Sequence, residues 1–208
     1  MLTIISTDRA TEMSEPGLDV RHAAIADLLI IATRWFADDR GAFSETYQQQ
    51  RFNLAGVTIS FMQDNQATSK RAGTVRGLHF QRPPAAQNKL IRVVRGAIFD
   101  VAVDVRPGSP SYGRWAGLEL SATNRLQFFV PAGFAHGYLT LEDDTDVLYK
   151  VDAPYRPACE GGLRWDDPAV GIAWPPTAGP IVTAPRDAQL PLLSELAPIE
   201  SWRIGTPP

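Results

Sequence analysis

Phe99-Asp100-Val101-Ala102-Val103-Asp104-Val105-Arg106-Pro107-Gly108-Ser109-Pro110 is the stretch that decides the fold class. Phe99, Val101, Val103 and Val105 recur every second residue, with Asp100, Ala102 and Asp104 between them. A period of two is that of a strand with one apolar and one polar face. The Pro-Gly-Ser-Pro run ends it in a turn. The same pattern spreads outward from Thr74 to Val151. Leu90–Arg95 stops at Gly96, Phe128-Phe129-Val130 runs into Pro131-Ala132-Gly133, and Glu142-Asp143-Asp144-Thr145 separates two further strands. Helix signals are nearly absent there. Short strands parted by Gly and Pro turns predict an all-β sandwich or barrel.

The flanks are read the same way. Leu28–Phe36 is a strand region closed by the turn Asp38-Asp39-Arg40-Gly41; Phe43–Tyr47 alternates, and Gln48–Leu54 is expected to form a short helix. The tail from Trp165 is proline-rich and irregular, with a short helix near Leu192–Leu196. Residues 1–20 lack periodicity and are read as an extension, leaving 21–208 as a single domain.

Composition narrows the function classes. Twenty basic against 23 acidic residues give a net charge of -3, which argues against a nucleic-acid surface. A small anionic ligand stays possible, because a few arginines suffice to hold one. The single cysteine, Cys159, cannot form an internal disulfide and fits a reducing compartment. The apolar run Leu28-Leu29-Ile30-Ile31-Ala32 is far shorter than the ~20 residues a spanning helix needs. Asp8, Glu12 and Glu15 do not fit a signal peptide. The expectation is a soluble, cytoplasmic protein without membrane or nucleic-acid partners.

Chemistry concentrates in Arg76-Gly77-Leu78-His79-Phe80-Gln81, Lys89 and Tyr149. Alone, each has an ordinary reading: a core histidine bonded to a neighbour, a solvated lysine at a strand start, a core tyrosine flanked by Val147 and Val151. Together they are a proton base, a cation able to hold an enolate and a weak acid, which points to chemistry at a carbon beside a carbonyl. A histidine titrates near 6.5, which suits a base at neutral pH. Regular alternation puts His79 on a face with Val75, Gly77 and Gln81, and Arg76 on the opposite one. Either Gly77 bends the strand or Arg76 serves another wall. His136, in Pro131-x-Gly133-x-x-His136-Gly137, sits just past a turn in a position open to metal ligation.

These segments resemble the dTDP-4-dehydrorhamnose 3,5-epimerases, a family of the cupin superfamily. The matches run in order through Asp39-Arg40-Gly41-Ala42-Phe43-Ser44-Glu45, Gln63-Asp64-Asn65, Arg76–Gln81 and Gln87-Asn88-Lys89-Leu90. They continue through Gly96-x-x-Phe99-Asp100-Val101, Pro131–Gly137, Leu148-Tyr149-Lys150, Arg164–Pro168 and Arg186-Asp187. A lone Arg-Gly-Leu-His would be weak; about ten segments in register over residues 21–193 are specific.

The resemblance implies a double-stranded β-helix jelly roll and an epimerase. It would invert C3 and C5 of a dTDP-4-keto-6-deoxyhexose through an enolate, as in the dTDP-L-rhamnose pathway. His79 would be the base and Asp187 its carboxylate partner; Lys89 would hold the enolate and Tyr149 protonate the opposite face. Arg40 and Arg76 would bind pyrophosphate, one of them reaching in from the partner of a homodimer. Tyr155 would contact the base, with Glu45, Gln63, Asn65, His136 and Asp100 in binding or supporting places. Pro185 departs from the family pattern just before Arg186-Asp187. His79-Phe80-Gln81 lacks the second histidine of metal-binding cupins, so neither a metal nor another cofactor is expected. The alternatives are an epimerase of one centre on another nucleotide sugar, a non-catalytic sugar-nucleotide binder, and a metal-dependent cupin.

Overall fold

Glycine and proline turns cut the chain into short strands, as their spacing predicts. The computed structural model describes residues 17–197 and Ile199. The first strands are β1 (Leu18–His22), β2 (Leu29–Thr33), β3 (Phe36–Asp38) and β4 (Gly41–Phe43), followed by helix α1 (Gln49–Leu54). Then come β5 (Gln63–Ser69), β6 (Thr74–Gln81), β7 (Lys89–Arg95), β8 (Ala97–Asp104), β9 (Trp115–Ser121), β10 (Leu126–Val130), β11 (Phe134–Thr140) and β12 (Thr145–Val151). A 3-10 turn at Pro157–Cys159 leads into β13 (Glu160–Gly162). The strand β14 (Val182–Thr183), helix α2 (Pro185–Ala188) and a 3-10 turn at Leu193–Glu195 complete the described chain.

The short helix expected at Gln48–Leu54 forms with Gln48 as its N-cap, whose side chain accepts from Arg51 N–H. Residues 1–16 of the expected extension lie outside the described residues, and Leu18–Val20, assigned to its end, pair with β2 instead. The Leu28–Phe36 region divides into β2 and β3. No helix among the described residues is long and apolar enough to cross a membrane.

Two antiparallel sheets face each other, the sandwich that the strand spacing predicts and of the jelly-roll kind that the resemblance implies. One has the order β1-β2-β10-β7-β12-β5, the other β13-β6-β11-β8-β9, with β14 running parallel beside β6. Ile30, Ile91, Val93, Phe128 and Val147 of the first sheet meet Ile98, Leu118, Leu120 and Phe134 of the second between them. Helix α1 covers the outer face of the first sheet through Phe52, which packs with Leu29, Ile31 and Phe129.

The polar face predicted for the deciding strand is not wet. Asp100 and Asp104 are fully buried, as are Val101 and Val103. Both sides of β8 are covered, because Ala102 joins the core between the sheets while the valines pack on Leu163, just after β13, and on Val170, Leu196 and Ile199 from the irregular tail. Each fully buried aliphatic side chain contributes roughly 1.5–3 kcal/mol, enough to seat a tail with little regular structure.

One irregularity positions everything that follows. Between β11 and β6, His136 pairs with His79 and Tyr138 with Arg76. A single residue, Gly137, thus lies opposite two, Gly77 and Leu78, which is a β-bulge. The extra residue shifts the alternation by one, so Arg76 and His79 come to the same side. That decides between the two options left by the sequence: the strand bends at Gly77. Only glycine fits there. Gly77 has φ +120°, and a Cβ on it would lie 2.7 Å from Gly137 Cα. Gly77→Ala should therefore destabilise the protein by about 2 kcal/mol or more. Urea unfolding measures this; an unchanged midpoint would remove the bulge from its controlling place.

Candidate active site

A cleft of about 650 Å³ opens between the two sheets, within the ~300–1,000 Å³ range usual for small-molecule sites. One wall comes from the first sheet through Lys89 on β7 and Tyr149 on β12. The other comes from the second sheet through Arg76 and His79 on β6 and His136 and Tyr138 on β11. Asp187 on α2 closes the back of the second wall, and Tyr155, Glu160 and Arg186 stand at the rim.

The bulge also supplies an anchor. Gly77 N–H donates to Asp187 Oδ2 at 3.2 Å, while Oδ1 of the same carboxylate accepts from His79 Nε2 at 2.8 Å. Asp187 is 3% exposed. Pro185, the departure seen in the sequence, takes the first position of α2. There its lack of an N–H is harmless and its fixed φ suits the helix. With Nε2–H donated to Asp187, the neutral imidazole keeps its lone pair on Nδ1. Burial lowers the His79 pKa below its ordinary value; the hydrogen bond and charge of Asp187 oppose this, and the charges of Lys89 and Arg186 add to it. The ring is thus neutral, a competent base, at pH 7.

Lys89 is 8% exposed and donates from Nζ to the His79 carbonyl at 3.1 Å. Burial brings its pKa down to about 8, against the pull of Asp100. The cation stays largely protonated at neutral pH, in a dry place where its charge is felt strongly. Tyr149 is half-buried, and burial raises its pKa despite nearby Arg76. It remains a protonated acid. Arg76 donates from Nε to Ser69 Oγ at 3.0 Å and from a guanidinium nitrogen to Thr68 O at 2.9 Å, which turns it along the cleft.

His136, read as open to metal ligation, has its Nε2 2.6 Å from Asp100 Oδ1. Among the described residues no group of three His, Cys, Asp or Glu side chains forms a metal-binding cluster. Gln63 and Asn65 lie on β5, where Gln63 donates to Asn65 at 2.8 Å and Asn65 pairs across the ladder with Tyr149. Tyr155 donates to Glu160 at 2.8 Å at the rim. Arg40 and Glu45 do not reach the cleft of their own chain. Arg40 sits on the β3–β4 turn against Asp38 at 2.6 Å, and Glu45 pairs with Arg51 at 2.7 Å.

Sequence reading missed three ionisable lining residues. Tyr138 follows His136 by two on β11, a spacing by which alternation could have found it. Burial pushes its phenol up to about 12. Glu160 and Arg186, joined by a 3.1 Å ion pair, come from β13 and α2; Arg186 stands in the Arg186-Asp187 motif without a role, and nothing local marks Glu160.

The sequence profile described as dTDP-4-dehydrorhamnose 3,5-epimerase matches residues 22–195. A Sinorhizobium fredii dTDP-4-dehydrorhamnose 3,5-epimerase is 49% identical over 186 residues, 89% of this chain and 94% of that protein. The crystal structure of the Bacillus anthracis dTDP-4-dehydrorhamnose 3,5-epimerase with TDP and PPi bound superposes with a TM-score of 0.80 at 46% identity, covering 84% of this chain and 99% of that one. A Legionella pneumophila dTDP-6-deoxy-D-glucose-3,5-epimerase in complex with dTDP-4-keto-L-rhamnose gives 0.82 at 39% identity, covering 86% and 95%.

The chain has three histidines, so imidazole titration by NMR is readily assigned. His79 should titrate below 6.5, and lower still in Asp187→Asn, which loses the partner that favours the charged ring. A midpoint that rises in the variant would contradict the dyad.

Proposed function

The chain belongs to the dTDP-4-dehydrorhamnose 3,5-epimerase family, and we propose that it inverts C3 and C5 of a dTDP-4-keto-6-deoxyhexose on the route to dTDP-L-rhamnose. The observation that carries this reading is the placement of His79 and Tyr149 on opposite sheets across one cleft, with the buried Lys89 in its lining. A ring lying in the cleft would have the base on one face and the acid on the other. Epimerisation needs that division, because the proton leaves one face and returns to the other.

In this reading the 4-keto group acidifies both neighbouring carbons. His79 Nδ1 takes the proton from C3 or C5, and Asp187 stabilises the imidazolium that forms. The electron pair moves onto the ketone oxygen, where the Lys89 ammonium offsets the charge. Tyr149 protonates the carbon from the far side. One base serves both carbons if the ring shifts between steps. Arg76, lying along the cleft, binds the diphosphate through its planar fork, and Tyr155 at the rim packs on the base. Gln63 and Asn65, beside Tyr149, contact the nucleotide end.

Arg40 and Glu45 find a place in a homodimer. Phe36 and Phe43 stand paired across the β3–β4 ribbon and are 55% and 69% exposed. Such a ribbon suits insertion against a second copy, which would carry Arg40 to the partner's diphosphate. Arg40→Ala should then raise KM about tenfold with kcat nearly unchanged; steady-state kinetics test this, and an unchanged KM would remove Arg40 from the site.

Incubation with dTDP-4-keto-6-deoxyglucose in D2O tests the chemistry directly. Deuterium is expected at both C3 and C5. His79→Asn should slow its incorporation about 10²–10⁴-fold. Label at one carbon only would make the protein a mono-epimerase. Saturable binding without label would withdraw the catalytic reading for this substrate.

A further inference from the structure

We propose that Ser69 is a positioning residue: with the Thr68 carbonyl it holds one side of the Arg76 guanidinium and leaves the two Nη nitrogens at its end to grip a diphosphate. The inference rests on the reading above, in which Arg76 binds that group.

Arg76 lies on β6 of the second sheet, and Ser69 ends β5 at the edge of the first. Arg76 Nε–H donates to Ser69 Oγ at 3.0 Å and its Nη2–H to Thr68 O at 2.9 Å. Ser69 is 2% exposed and stands across the ladder from Thr145, which is fully buried. The acceptor is therefore fixed before a ligand arrives. The N–H donors of a guanidinium form a rigid planar fork. The pair that faces β5 is used here. The donors on the end of the group remain, one on each Nη pointing in parallel, and Arg76 is exposed where it lines the cleft. That is an edge that can meet two phosphate oxygens at once.

What holds this guanidinium is also neutral. Arg40 is clamped by Asp38, Arg106 by Asp104 and Asp27, and Arg164 by Asp166. In each pair the carboxylate offsets much of the charge. Arg76 has a hydroxyl and a carbonyl instead, and among the described residues no carboxylate forms an ion pair with it. Its charge is oriented without being neutralised and stays whole for an anion. Without Oγ, the Nε–H would lack its acceptor, and the one bond left to Thr68 O would let the plane turn. The ligand would then have to order the fork itself, which weakens binding.

Calorimetric titration with dTDP reads the effect without turnover. Ser69→Ala should weaken binding about five- to tenfold. In an Arg76→Gln background the same change should weaken it no further, the non-additivity of two residues that act as one. Ser69→Thr, which keeps the hydroxyl, should bind as the wild type does. Should Ser69→Ala fail to fold, Ser69→Cys takes its place with the same expected loss, since a thiol accepts weakly. Unchanged affinity in Ser69→Ala overturns the proposal. So does an equal loss with and without Arg76, which would make the serine merely structural. Unchanged affinity in Arg76→Gln would remove Arg76 from the diphosphate and Ser69 from its role together. The epimerase reading is decided separately, by label taken up in D2O. A protein that shows the coupling but takes up no deuterium loses that reading and keeps this one.

Discussion

The structure depends on a backbone constraint, the placing of two residues of β6 against one of β11. Gly77 and Leu78 face the single residue Gly137. Three things follow from that mismatch. Arg76 and His79, three apart, come to one side of the strand. Gly77 N–H is taken out of the ladder and must find another acceptor, which it does in Asp187. And the backbones come so close that neither glycine has room for a Cβ. The proposed base, its carboxylate and the diphosphate arginine are thus set by one local departure from regular pairing. Bulges commonly re-aim side chains beside functional sites.

The second organising feature is the use of burial against charge. The cleft holds a histidine, a lysine and two tyrosines whose pKa values are all displaced chiefly by loss of water. Burial makes the histidine neutral and the tyrosines firmly protonated, which are the states proton transfer needs. It works against the lysine, whose charge is wanted. Two carboxylates oppose the shifts, Asp187 at His79 and Asp100 at Lys89, each from an element that is itself well fixed. Asp187 is held by the bulge and by the proline-led turn of α2. Asp100 is held by His136 within the sheet. Polar groups in such a cleft gain strength because their positions are settled before a ligand arrives.

Much of this was legible in the chain. Alternation with regular turns gave the all-β class, and Gln48 through Leu54 gave the short helix. The in-register motifs pointed to the family and to His79, Lys89 and Tyr149 before any geometry. Alternation also left gaps of a definite kind. It put Asp100 and Asp104 on one face without saying what covers it, and left open whether Arg76 joins His79. A period of two reports that a strand has two faces; it does not report what covers each, nor where a bulge resets the count. Glu160 at the rim was not seen, and Arg186 only as part of a motif without a role, since no local pattern marks two residues of β13 and α2 that meet in space.

By itself, then, the sequence determined the short-range properties: strand and turn identity, which residue types can carry proton chemistry, and where glycine is required by φ. Those follow from backbone sterics and side-chain pKa, which act within a few residues. Tertiary structure alone decided the long-range ones. It set His79 and Tyr149 on facing walls, brought Asp187 to His79 across 108 positions of chain, buried Asp100 against His136, and left Arg40 outside its own cleft. Desolvation and charge pairing depend on what lies within a few ångströms in space, and distance along the chain does not record that.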